Sequence, residues 1–211
     1  MSSPVSLVVP IRRFDDAKSR LAGVLSPADR RELAVSCARG VVRSIPHADV
    51  FVVCDDEEVA AFARESGATA VMVDAAGLNA SLTAGLPRVI ADRPDQPVMV
   101  AHADLPFGRR LGDLWDDIGP GITAETVVIV PDDRRDGSNV VVIGVGLLPA
   151  WRFVYGVGSF EAHRSHARQL GVEPIVIDDE LLSLDLDTPG DLENPHVRGT
   201  LDRLITKRDH S

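Results

Sequence analysis

Four short apolar runs recur through the first half of the chain, each separated from the next by a helix-length segment. They are VSLVV at 5–9, Val50 to Val53, TAVMV at 69–73 and PVMVA at 97–101. The runs are continuous rather than alternating, the pattern of strands buried on both faces. Strands of that kind joined by helices build a mainly parallel sheet with helices on either side. The expected architecture is therefore a three-layer α/β/α fold, Rossmann-like. A length of 211 residues suits one such domain, spanning 1–211.

Local signals place the helices. Ser26-Pro27 gives an N-cap followed by proline at the first helical position. Leu33, Cys37, Val41 and Ile45 then share one helical face up to Pro46. A second helix is expected over Glu57 to Glu65, closed by Gly67, and a third capped by Asn79 and running to about Ala91. Others are expected over Phe107 to Trp115, over 159–170 and near 196–206. Further strands are TVVIV at 126–130, NVVVIGV at 139–145 and EPIVI at 173–177. The first two are separated only by the turn PDDRRDGS, so the sheet should be mixed there.

Charge narrows the function classes. The formal net charge is −10, whereas a protein that neutralises nucleic-acid phosphates broadly is usually basic. A nucleotide ligand remains compatible, with its phosphates met locally by a few cations, backbone N–H groups and metal ions. Cys37 and Cys54 lie in apolar segments and read as buried, reduced thiols; no Cys/His cluster suggests zinc. No apolar run has membrane-spanning length, and the start of the chain does not read as a signal peptide. The expected setting is cytoplasmic, with no membrane and no nucleic acid as partner.

Ligands of open α/β sheets bind beyond the carboxyl ends of the strands. Four segments there carry candidate chemistry. In PIRRFDDAKSRL, Arg12, Arg13, Lys18 and Arg20 concentrate positive charge after the first strand; the same residues would also suit a solvated basic loop. Asp104 directly follows PVMVA, where a carboxylate can hold Mg²⁺ against phosphate oxygens or simply shape a turn. In LDLDTP, Asp185 and Asp187 share a face if the segment is extended, and two such carboxylates repel unless a cation joins them. Asp187 or Thr188 could instead cap a helix beginning at Pro189. In FVYGVGSF, two glycines precede Ser159 at a helix start, which suits an anion or a plain N-cap. His163, one turn on, reads as an exposed helix residue.

Taken together, VPIRRFDDAKSRLA, GLNASL, ADLP, RRDGSNVVV, FVYGVGSFEAH and LDLDTPGDL resemble the phospholactate/phosphoenolpyruvate guanylyltransferases of F-420 coenzyme biosynthesis. The resemblance runs from Val8 to Leu192 with order and spacing kept. It implies a nucleotide-diphospho-sugar-transferase-like fold and transfer of GMP from GTP to the phosphate of a three-carbon acid. It also implies Mg²⁺ or Mn²⁺ on Asp104, Asp185 and Asp187, with Asp104, Asp187 and Lys18 as the catalytic set. Arg12, Lys18, Arg20 and Asn79 would serve GTP, and Ser138, Gly156 and Ser159 the acid. Two departures stand out: Arg12 replaces the family's usual Lys, and Ser138 its usual Thr. Arg keeps the charge but changes the donor geometry.

The acceptor stays open among phosphoenolpyruvate, 2-phospho-L-lactate and 3-phospho-D-glycerate, which differ little in size and charge. The Ala/Arg/Asp/Val-rich composition suggests a high-GC bacterium, and by analogy with the family there the resemblance implies phosphoenolpyruvate. Other transferases on the same scaffold usually carry a Gly-rich loop after the first strand, which AKSRLAG matches poorly. A non-catalytic GTP-binding regulator is disfavoured by the clustered aspartates. Oligomeric state is not legible, a homodimer included.

Overall fold

The computed structural model describes residues 3–15 and 17–198. The strands are β1 (Ser6–Pro10), β2 (Asp49–Cys54), β3 (Thr69–Met72), β4 (Val98–Ala101), β5 (Val127–Pro131), β6 (Ser138–Ile143) and β7 (Ile175–Val176). They form one sheet in the order β3-β2-β1-β4-β6-β5-β7. Pairing is parallel except at β6, which runs antiparallel to both β4 and β5. The mixed region is thus where the short β5–β6 turn forced it: six residues cannot carry a parallel crossover.

Helices α1 (Pro27–Val42), α2 (Glu57–Glu65) and α4 (Arg110–Ile118) cover one face; α3 (Leu78–Asp92) and α5 (Ser159–Gln169) cover the other. Each strand divides its side chains between the two cores. Leu7 and Val9 of β1 join the α1/α2/α4 core, while Val8 joins the opposite one. Met99 and Ala101 of β4 separate from Val98 and Val100 in the same way. Burial on both faces explains why these strands read as unbroken apolar runs.

Ser26 caps α1 as expected, its Oγ accepting from the Asp29 N–H at 3.2 Å. Asn79 is not a cap. Gly77, at φ 90°, precedes α3, and Asn79 lies inside its first turn. The helix expected from Phe107 begins only at Arg110. The intervening turn lies close against α1: a Cβ on Gly108 would lie 2.5 Å from Val41 Cγ2 and 2.8 Å from the Val41 backbone N. His163 is fully buried rather than exposed. With Phe160 and Ala167 it forms the inward face of α5 at helical spacing. The strand expected over 173–177 pairs only at Ile175–Val176. Residues 195–198 are helical; the rest of the helix expected to 206, and the tail after it, lie outside the described residues.

Strand order reverses at β1, whose neighbours are β2 on one side and β4 on the other. The crevice beyond their carboxyl ends is the expected binding position. The close approach at Gly108 holds the loop after β4 against α1, so Gly108→Ala should overpack it. A loss of roughly 1–3 kcal/mol is expected, read as a lower urea midpoint with an unchanged slope.

Candidate active site

A cleft of about 580 Å³ opens at this crevice. Arg12, Lys18, Asp104 and Asp187 all line it, together with His102 and Asp55. The sheet brings the ends of β1 and β4 side by side, and the chain returns from the far edge to add Asp187.

Lys18 adopts a left-handed backbone, φ 57° and ψ 34°, just before a short 3-10 turn at Ser19–Leu21. That turn aims its side chain inward, leaving Lys18 only 8% exposed. Nζ donates to Asp104 Oδ2 at 2.9 Å. Burial pulls the Lys18 ammonium down, but the Asp104 carboxylate outweighs it and raises the group overall. Burial likewise pushes Asp104 up, and Lys18 followed by His102 outweighs it and holds the carboxyl below the usual aspartate range. Both partners therefore stay charged. Asp104 Oδ1 is buried with no hydrogen-bond partner.

Segment 184–187 lies in no regular helix or strand; Leu186 is buried and the flanking Asp185 and Asp187 are half-buried. Asp187 Oδ2 accepts from Arg20 Nη1 at 2.6 Å, which draws Arg20 to the cleft edge. Neither Asp187 nor Thr188 caps a helix. Their N–H groups donate instead to Asp191 Oδ2, at 2.9 and 2.6 Å. Asp185 is pushed up to about 7, by burial first and then by Asp104 and Asp191.

Among the described residues no three His, Cys, Asp or Glu side chains gather as a metal cage. In this arrangement Asp104 is paired with Lys18 and Asp187 with Arg20, while burial raises Asp185 to about 7. A smaller set does fit a divalent ion. Mg²⁺ keeps several waters and takes one or two carboxylates plus substrate phosphates. The unpartnered Asp104 Oδ1 suits that demand, with Asp187 on the same cleft wall.

The remaining candidates sit behind the cleft. Asn79 Oδ1 accepts from the Tyr155 N–H at 2.7 Å, and its Nδ2 donates to the Tyr155 carbonyl at 2.9 Å. Its amide is thus a clamp on the 153–158 segment. Ser138 and Ser159 are 0% and 2% exposed. The His163 Nε2 accepts from the Val154 N–H at 3.3 Å, so its proton lies on Nδ1, 3.0 Å from Ser138 Oγ. Burial pushes His163 down to about 4, which keeps it neutral. Gly156 is exposed at φ 136°, and the N–H of Gly158 donates to Asp136 Oδ1 at 3.1 Å. Ser138, Gly156 and Ser159 therefore do not line the cleft that holds Asp104.

Three residues escaped the sequence reading. Asn139 Nδ2 donates to the carbonyls of Leu182 and Ser183, at 2.9 and 3.0 Å, and so hangs the LDLD segment from β6. Asp191 shapes the turn after it. His102 lines the cleft and packs its ring 5.2 Å from that of Tyr155. The signals available for the first were its adjacency to Ser138 in DGSN and its place at the end of the strand-end loop Pro131 to Asn139.

The model of a family described as "Guanylyl transferase CofC like" matches residues 5–203. The chain belongs to this family. It is a nucleotidyltransferase. The phosphoenolpyruvate guanylyltransferase of Rubrobacter xylanophilus is 35% identical over 92% of this chain and 95% of its own. The 2-phospho-L-lactate guanylyltransferase of Methanocaldococcus fervens is 25% identical over 96% and 88%. Among solved structures, a suggested nucleotide-diphospho-sugar transferase from Desulfovibrio desulfuricans G20 superposes with a TM-score of 0.69, at 13% identity over 95% and 96% of the two chains. That likeness shows the nucleotide-diphospho-sugar-transferase fold. No described helix is long and apolar enough to cross a membrane.

Within this guanylyl transferase the raised Asp185 has a thermodynamic consequence. A carboxyl that titrates near 7 when folded and near its ordinary value when unfolded binds the extra proton in the native state. Stability is therefore lost as pH rises from about 4 to about 7. Asp185→Asn should raise the melting temperature at pH 8 and leave it nearly unchanged at pH 4. Equal shifts at both pH values would contradict the proton at Asp185.

Proposed function

We propose that this chain transfers GMP from GTP to the phosphate of phosphoenolpyruvate, releasing pyrophosphate, as a cytoplasmic step of F-420 coenzyme biosynthesis. One observation carries the reading: the Lys18–Asp104 pair at the β1/β4 crevice, flanked by Arg12 and by Asp187 with Arg20. Phosphoenolpyruvate is preferred over 2-phospho-L-lactate because the relative named for it is 35% identical against 25%.

The acceptor is a phosphate monoester and already anionic at neutral pH, so no strong general base is needed. One of its oxygens attacks the α-phosphorus of GTP, and the bond to the β-phosphate oxygen breaks. The work of the protein is positioning and charge neutralisation. Lys18, fixed by its left-handed turn and buried stem, meets the α-phosphate. Arg12 has no ion-pair partner among the described residues and stands free for the leaving pyrophosphate. Arg20, held at Asp187, adds charge at the edge. Asp104 and Asp187 would hold a divalent ion, Mg²⁺ or Mn²⁺, which when bound would supply Lewis-acid neutralisation of phosphate charge. Asn79, Ser138 and Ser159 act from behind the cleft: Asn79 clamps Tyr155, Ser138 meets His163, and the Ser159 N–H donates to the Gly156 carbonyl, which together fix the 153–159 segment.

Pyrophosphate release and product mass, measured with GTP and each of the three phosphorylated acids, test the assignment. Phosphoenolpyruvate should give the highest kcat/KM. Absence of pyrophosphate with all three acids would overturn it. Asp104→Asn should lower kcat on the order of a hundredfold or more, with circular dichroism unchanged. Near-normal turnover by that variant at saturating Mg²⁺ would remove Asp104 from the reaction.

A further inference from the structure

We infer that Asp55 is the residue that reads the base of the nucleotide, accepting hydrogen bonds from the N1–H and 2-amino group of guanine. The inference rests on the proposed nucleotidyl transfer in this cleft and names its base-specificity element.

Asp55 follows the last residue of β2 and lines the cleft. Three carboxylates line that cleft: Asp55, Asp104 and Asp187. Asp104 and Asp187 are each taken by a cation. Asp55 has no hydrogen-bond or ion-pair partner among the described residues. Its neighbour Asp56 is fully committed: it caps α2 through the N–H groups of Glu58 and Val59, and it pairs with Arg13 Nε at 3.3 Å. Arg13, a cation lining the same cleft, is thereby turned to Asp56, and Asp55 is left as an open acceptor.

Position in the sheet supports the role. The order β2-β1-β4 places Asp55 and Asp104 on opposite sides of the β1 end. Two strand spacings separate them, about 10 Å, a separation that a nucleoside can bridge with its α-phosphate at Lys18 and Asp104. Pro10 and Leu78 line the cleft as well and offer apolar surface for a purine face. A carboxylate is acceptor-only and can receive two donors side by side. Guanine presents two donors on its Watson–Crick edge. Adenine presents an acceptor there, which the carboxylate repels, so the same group selects for one base and against the other.

The chemistry predicts a change of preference as well as a loss. Asn at this position keeps an oxygen for N1–H and gains an N–H₂ that matches the 2-oxo group of xanthine. Dissociation constants for GTP, ITP, XTP and ATP, measured by calorimetry on the full chain, give the test without requiring turnover. The native protein should bind GTP about tenfold or more tighter than ITP, which lacks the 2-amino group. Asp55→Asn should weaken GTP and tighten XTP, inverting their order, and Asp55→Ala should bind GTP and ITP equally. Retention of the native GTP:ITP:XTP ratios in both variants overturns the assignment. So does a uniform loss across all four nucleotides. If the ratios change as expected while no acid yields pyrophosphate, the base reading stands and the transferase reading fails.

Discussion

The Lys18 ammonium and the Asp104 carboxylate, 2.9 Å apart, tie the loop after β1 to the end of β4 across the crevice. Lys18 is nearly inaccessible, so its charge is tolerable only with a partner in place. That requirement fixes more than one side chain. It holds the left-handed turn at Lys18, which in turn seats Leu21 in a small core with Leu33, Cys37 and Leu186. The same small core thus carries both the basic loop and the aspartate segment. A loop that could be solvated in one dimension becomes a wall of the cleft, with one of its cations buried.

The acidic centre is arranged around charge balance. Asp104, Asp185 and Asp187 influence one another electrostatically, yet none is left as a bare anion beside another. One has a lysine, one an arginine, and one is raised to about 7 by burial. Arg20 is exposed and its pairing is correspondingly weak. It can transfer from carboxylate to phosphate at small cost, whereas Lys18 is anchored.

Two asparagines set the second layer. Asn79 grips both backbone polar groups of Tyr155, and Asn139 grips two carbonyls at 182–183. Each joins segments far apart in sequence, across 76 and about 43 positions. Amide side chains suit this task because they carry a donor and an acceptor in one rigid group. His163 completes the layer by joining α5 to Ser138 and to the Val154 N–H.

Much of this fold was legible from the sequence, because unbroken apolar strands, a Ser-Pro helix start and a short charged turn each have one local physical solution. β1 to β6, the α1 cap and the antiparallel β6 follow from such local rules. The carboxylates at strand ends were legible too, since position on a strand determines which edge they occupy. Other features were settled only by the tertiary structure. The turn before α4 packs Gly108 against Val41. The burial of His163 depends on which face of α5 lies on the sheet. Asn79 became a clamp instead of a cap because Tyr155 arrives beside it. The sequence by itself determined which residues are charged, which are apolar and which lie at strand ends. The partner each charged or polar group takes was decided by the sheet order, because burial makes an unpaired group costly and only the folded chain determines which partners are within reach.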